Sequence, residues 1–205
     1  MTDVTTDTPK PRPKSLLLTR VTPGIALIVI AAIAALRLWV VETAIVAGDS
    51  MRNTLQDGDH VLISKLLQVS RFDIVVLNDP EVGGVDIKRV VAAPGDTISM
   101  VPYTVQTGGG TAVYGSQLYL NSIPYTEPYA TSVIPRSLPP AKIAKDAYFV
   151  LGDNRDDSTD SRRYGALNAK RVRGVALAVV YPLNRFRILD RDPRAAPDTN
   201  AIVHR

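Results

Sequence analysis

Cysteine is absent from the 205-residue chain, which excludes disulfide scaffolds, thiolate metal sites and cysteine nucleophiles. The two histidines, His60 and His204, are too few for a multi-histidine metal centre, and no metal or cofactor is expected. A hydrolase built on an imidazole base would have to use one of them. Aromatic residues make up only 6%, and the 24 lysines and arginines, set against 20 acids, are spread along the chain. With few stacking platforms and no basic stripe, nucleic acid is not an expected partner.

Long hydrophobic runs are also missing, with one exception. Pro23 to Leu36 reads PGIALIVIAAIAAL, and the stretch Val21–Val41 is interrupted only by Thr22 and Arg37. At about 1.5 Å per residue its 21 residues match the ~30 Å hydrocarbon core, which predicts a transmembrane helix over 21–41 and a lipid bilayer as partner. Arg37 can snorkel to the headgroups, and Trp39 suits the aromatic belt. Residues 1–20, Pro/Thr-rich with Lys10, Arg12, Lys14 and Arg20, are predicted to be a disordered tail, held in the cytoplasm by the positive-inside rule. A cleaved leader is disfavoured, because cutting after Ala47 or Ala44 would put Ile45 or Glu42 at −3, where a small residue is needed.

Past Glu42 the pattern becomes short apolar runs between turn signals such as Asp57-Gly58, Pro94-Gly95 and Gly108-Gly109-Gly110. It predicts strands at Thr43–Val46, His60–Ser64, Asp73–Leu77, Asp86–Val91, Thr97–Val101, Ala112–Leu120, Tyr148–Leu151 and Val172–Tyr181, with helical turns hinted at Asn53–Leu55 and Ala141–Lys145. The fold class is mainly β, with antiparallel sheets closed or sandwiched to cover their edges. A core of 42–101 and 146–181 is expected, with 102–145, rich in proline and poor in charge, as an inserted subdomain. The segment 182–205 reads as a frayed tail.

Three segments can carry chemistry. Gly48-Asp49-Ser50-Met51 allows a sharp turn before a serine, with room for a carbonyl near its N–H, although an ordinary serine turn reads the same way. In Val85-Asp86-Ile87-Lys88-Arg89-Val90-Val91, alternation sets Lys88 on the face opposite Ile87 and Arg89. A lysine turned toward an apolar interior loses hydration, which disfavours its ammonium form and makes it a base; the plain alternative is a solvated lysine on an edge strand. The third segment, Gly152-Asp153-Asn154-Arg155-Asp156-Asp157-Ser158-Thr159-Asp160-Ser161-Arg162-Arg163-Tyr164-Gly165, lacks the glycine and the closing acid of a calcium loop. Its alternating acids and arginines fit a self-satisfied hydrogen-bond network that fixes backbone shape.

Together these segments resemble bacterial type I signal peptidase, the membrane-anchored serine–lysine endopeptidase family. Asp153–Gly165 is similar to that family's acidic block, with Asp157 where asparagine is usual. Ile87-Lys88-Arg89-Val90 with Pro94-Gly95-Asp96 resembles its lysine block, and Gly48–Met51 with Thr54-Leu55 its serine block. Asn53 stands where proline is usual, Gly48 where some members have serine, and Phe72 where glycine is common.

The resemblance implies cleavage of signal peptides from secreted preproteins, at the plasma membrane with the catalytic part extracytoplasmic. It implies Ser50 as nucleophile and Lys88 as neutral base, Ser158 orienting the amine, and Asp160 and Arg162 holding the loop through ion pairing with Arg89. It also implies two antiparallel β domains and a substrate bound as an added strand, with Ala44, Val46, Met51, Leu55, Asp86 and Ile87 lining the groove. Because a nearby acid would hold the lysine charged, neither Asp86 nor Asp160 is expected to touch Lys88. His60 and Lys65 are the competing bases. A self-cleaving repressor-type protease would share the dyad but not the anchor, and a catalytically silent, membrane-tethered β-domain binding extracytoplasmic proteins is the alternative of another class.

Overall fold

The computed structural model describes residues 23–81, 83–106, 112–131 and 134–191. The chain divides into two compact units, residues 1–35 and 36–205. Helix α1, Pro23–Val40, has 18 residues and rises about 27 Å. Proline at its first position suits a helix start, since its missing N–H would have had no partner there. Ile25, Leu27, Ile28, Val29, Ile30 and Ile33 are all exposed. Among the described residues no helix is long and apolar enough to cross a membrane. Of the expected span 21–41, residues 21 and 22 lie outside the described residues and Val41 already belongs to a strand. The expected tail 1–20 also lies outside them.

Among the described residues from 41 onward the regular structure is mainly β. The strands are β1 Val41–Ile45, β2 His60–Ser64, β3 Ile74–Asn78, β4 Val85–Ala92, β5 Thr97–Gln106, β6 Ala112–Leu120, β7 Ile123–Tyr125, β8 Leu138–Lys142, β9 Ala147–Leu151, β10 Leu167–Asn168, β11 Val172–Tyr181 and β12 Arg187–Ile188. A single helical turn, α2, covers Ser161–Tyr164. The larger sheet runs β1-β2-β11-β3-β4-β9-β10 with β12 on β11, the smaller β7-β6-β5-β8. Every named pairing is antiparallel. The eight expected strands are all present.

The differences lie in the small elements. Ala141–Lys145 does not form a helical turn, because Leu138–Lys142 pairs with β5 as β8. The second sheet begins at Thr97, five residues before the expected insertion. Nor are residues 182–191 loose: Leu189 is buried, Arg185 bonds Asp59 and Arg191 bonds Asp73, both carboxylates wholly buried. Residues 192–205 lie outside the described residues.

The period-two alternation of β4 sorts the core. Ile87 joins a cluster with Val46, Met51, Leu55, Ile74 and Val76. Val90, on the other face, joins Val75, Leu77, Val150 and Val175. A third cluster, including Phe72, Ile98, Leu118 and Phe149, ties the two sheets together. Phe72 takes φ +69°, the left-handed region that explains why glycine suits this position; burial in that cluster holds the bulkier residue there.

Candidate active site

β3 and β4 pair from Ile74↔Arg89 to Asn78↔Val85, whereas β9 joins the other side of β4 only from Arg89 onward. Residues 85–88 therefore present an open edge. Lys88 lies opposite Val75 and Asp86 opposite Leu77, so both side chains leave the face shared with Val90. Lys88 is 2% exposed, and its amine reaches the serine turn. Nζ lies 2.9 Å from Ser50 Oγ, 3.2 Å from the Ile87 carbonyl and 2.6 Å from Asp86 Oδ1.

That last contact corrects the expectation that Asp86 would keep away. The alternation that set Lys88 apart from Ile87 and Arg89 places Asp86 on the face of Lys88, so the signal was present in the sequence. Asp86 Oδ1 also accepts the Ile87 N–H at 2.7 Å. Asp160, by contrast, makes no hydrogen bond with Lys88 among the described residues.

The serine turn is tightened by Leu55 N–H bonding to Met51 O and Arg52 N–H to Asp49 O, but the helical turn hinted at Asn53–Leu55 does not form, since Asn53 takes φ +87°. Gly48 takes φ +84° and donates its N–H to Asp57. The acidic loop braces this turn from behind: Asn154 donates its N–H to the Ser50 carbonyl at 3.0 Å and its amide to the Asp49 carbonyl at 3.2 Å.

The expected self-satisfied network is present, with different partners. Arg89 is bidentate to Asp153, at 2.9 and 2.7 Å, and not to Asp160. Its guanidinium also bonds the Phe72 carbonyl and lies 4.0 Å above the Tyr129 ring. Asp153, missed by the sequence reading, further accepts from Thr54 Oγ1; nothing in a run of four acids says which one the arginine takes. Asp160 pairs with Arg162, caps α2 and accepts the Gly152 N–H. Burial alone would raise the Asp160 carboxyl, but Arg162 and the Gly152 N–H outweigh it and hold the group below its ordinary range. Arg155 clamps Glu127, another pairing the sequence did not reveal.

Ser158 does not bond Lys88. Its buried hydroxyl lies near enough to Asp160 to help hold that acid ionised, yet it makes no hydrogen bond of good geometry. A small pocket opens beside Ser50, walled by Val46, Met51, Asp86 and Ile87, and also by Ile45, Ala47 and Val85. Leu55 is wholly buried and does not line it, and Ala44 packs half-buried against the core. His60 stands edge-on to Tyr181, 5.1 Å between ring centres, and Lys65 pairs with Glu42. Among the described residues no group of acids and histidines could hold a metal ion.

Residues 19–181 match the family model described as signal peptidase, peptidase S26, which makes the chain a hydrolase of the peptidase class. It belongs to the signal peptidase family. Signal peptidase I of Bacillus licheniformis is 32% identical over 180 residues, 80% of this chain and 90% of that protein. Signal peptidase I S of Bacillus subtilis is 34% identical over 178 residues, 78% and 89%. The crystal structure of a signal peptidase I from Enterococcus faecalis is 28% identical, covers 53% of this chain and 97% of that one, and has a TM-score of 0.41.

Proposed function

We propose that this chain is a membrane-anchored serine endopeptidase that removes N-terminal signal peptides from exported preproteins, with Ser50 as nucleophile and Lys88 as base. The 2.9 Å contact between Ser50 Oγ and the shielded Lys88 Nζ carries the reading. In the unprotonated form the amine takes the hydroxyl proton as Oγ bonds to the peptide carbonyl carbon, whose π electrons move onto oxygen. The Ser50 N–H receives that oxyanion. As the C–N bond breaks, the ammonium returns its proton to the leaving amine, and a water molecule then repeats the sequence on the ester. Arg89, with Asp153, and Asp160, with Arg162, keep the acidic loop in shape.

The open edge at 85–88 suits an incoming extended peptide, which would add a strand. The small pocket next to Ser50 suits a side chain of alanine size. The anchor is supported by α1: six large aliphatic residues exposed on one helix are costly in water and at home in lipid. Its slight shortness is accommodated by local thinning of the bilayer. With the basic segment before it in the cytoplasm, the β portion lies outside the plasma membrane.

The test is incubation of the detergent-solubilised protein with a labelled preprotein. The wild-type chain cuts at the leader junction; Ser50→Ala and Lys88→Ala do not, while Lys65→Ala and His60→Ala retain activity. Cleavage lost only in the His60 variant, or preprotein bound but never cut by wild type, overturns the assignment.

A further inference from the structure

We propose that Asp86 is the third member of the reacting group, a positioning residue that aims the Lys88 lone pair at Ser50 and carries the charge the amine acquires. This rests on the assignment of Ser50 and Lys88 above. The argument is one of valence. A neutral amine has two N–H groups and one lone pair. Three oxygens surround Lys88 Nζ: Ser50 Oγ at 2.9 Å, Asp86 Oδ1 at 2.6 Å and Ile87 O at 3.2 Å. Asp86 and the Ile87 carbonyl can only accept, so they consume both N–H groups. The lone pair is then left facing the one neighbour able to give a proton, the serine hydroxyl. When that proton arrives, the ammonium already has an acceptor for each of its three N–H bonds, one of them a carboxylate.

Asp86 is itself fixed, because the same Oδ1 accepts the Ile87 N–H at 2.7 Å. This bond and the Lys88 bond to Ile87 O both use the open side of β4. The other ionisable groups nearby are already committed: Asp160 to Arg162, Asp153 to Arg89, and Asp49 to Arg52. From β3 only Val75 and Leu77 oppose Lys88 and Asp86. On α2, Tyr164 is kept neutral, first by burial and then by the charges of Asp86 and Asp160. Asp86 is thus the only acid among the described residues within salt-bridge distance of the amine.

Its charge stabilises the ammonium that forms during attack. Asp86→Asn keeps an acceptor oxygen but removes the charge; Asp86→Ala removes both. The experiment measures kcat and kcat/KM for cleavage of a peptide with a leader junction between pH 5 and 10, using the full-length protein in detergent. In both variants KM stays close to wild type, while the plateau kcat falls about tenfold in the Asn variant and further in the Ala variant. A wall residue of the pocket would raise KM with kcat unchanged, so that outcome overturns the proposal, as does an Asp86→Asn profile that superimposes on wild type. Cleavage that persists in Ser50→Ala or Lys88→Ala overturns the assignment beneath it as well. Should Asp86→Ala melt below the assay temperature, the Asn variant alone decides.

Discussion

A methyl group on Gly152 would fall against the Ser158 side chain and the Ser50 carbonyl. The carbonyl is not free to withdraw, since it is bonded to the Asn154 N–H. Gly152→Ala is therefore expected to cost about 2 kcal/mol or more in urea unfolding and to lower cleavage sharply, because relief of the clash displaces the serine turn. Asp160 makes a pH prediction. Its carboxyl sits below the ordinary range when folded, so its stabilisation is present above the unfolded-state value near 4 and is lost as pH falls through the folded one. Asp160→Asn should flatten the acid side of a stability-against-pH curve and cost about 3 kcal/mol near neutrality, where Arg162 is left unpaired. An unchanged acid side would refute the role given to the pair. At this scale the nearness of Ser50 and Lys88 was legible, because a serine on a sharp turn and a lysine facing inward from a strand suit the dyad that the resemblance implies. The Asp86 contact was equally legible by alternation, but the need for an uncharged base argued it away. The Arg89–Asp153 pair was not legible, since its partners lie 64 positions apart.

The long strands declared themselves through apolar runs bounded by glycine and proline. β7, β8, β10 and β12 did not: each has two to five residues, and β8 carries Pro139-Pro140, which reads as a turn in isolation. Pairing supplied by β5 overrides that local preference. The segment after Pro182 misled for a different reason. Its arginines look like solvated polar sequence, yet three of them reach back to buried carboxylates. Arg191→Ala leaves Asp73 without its cation. Because that arginine is partly solvated, the expected loss is about 2 kcal/mol, read as a lower urea midpoint; a midpoint equal to wild type would show the contact to be incidental.

On the scale of the molecule, all three apolar clusters lie between residues 46 and 189. A chain starting at Leu36 is expected to fold and to cut a detergent-dispersed substrate peptide, while losing sedimentation with lipid vesicles; aggregation on removal of residues 1–35 would contradict this. Alkali should unfold the protein from within. Tyr129 and Tyr164 are both raised, mainly by burial, so they stay neutral when folded but ionise in the unfolded chain. Stability is then full below the ordinary phenol value near 10 and declines above it, and Tyr129→Phe should lessen that decline. Fold class was readable because strand period and turn residues recur throughout. The limits of the second sheet were not, since Thr97 continues one strand across what composition marks as a boundary.

The position of β11 sets a timetable for the newborn chain. This strand is the last long one to be synthesised, yet it lies between β2 and β3, so the serine-bearing and lysine-bearing halves of the larger sheet have no backbone ladder joining them until residues 172–181 have emerged. The sheet therefore does not hold Ser50 against Lys88 until that strand has been made, and a copy cut short before it lacks the assembled site proposed above.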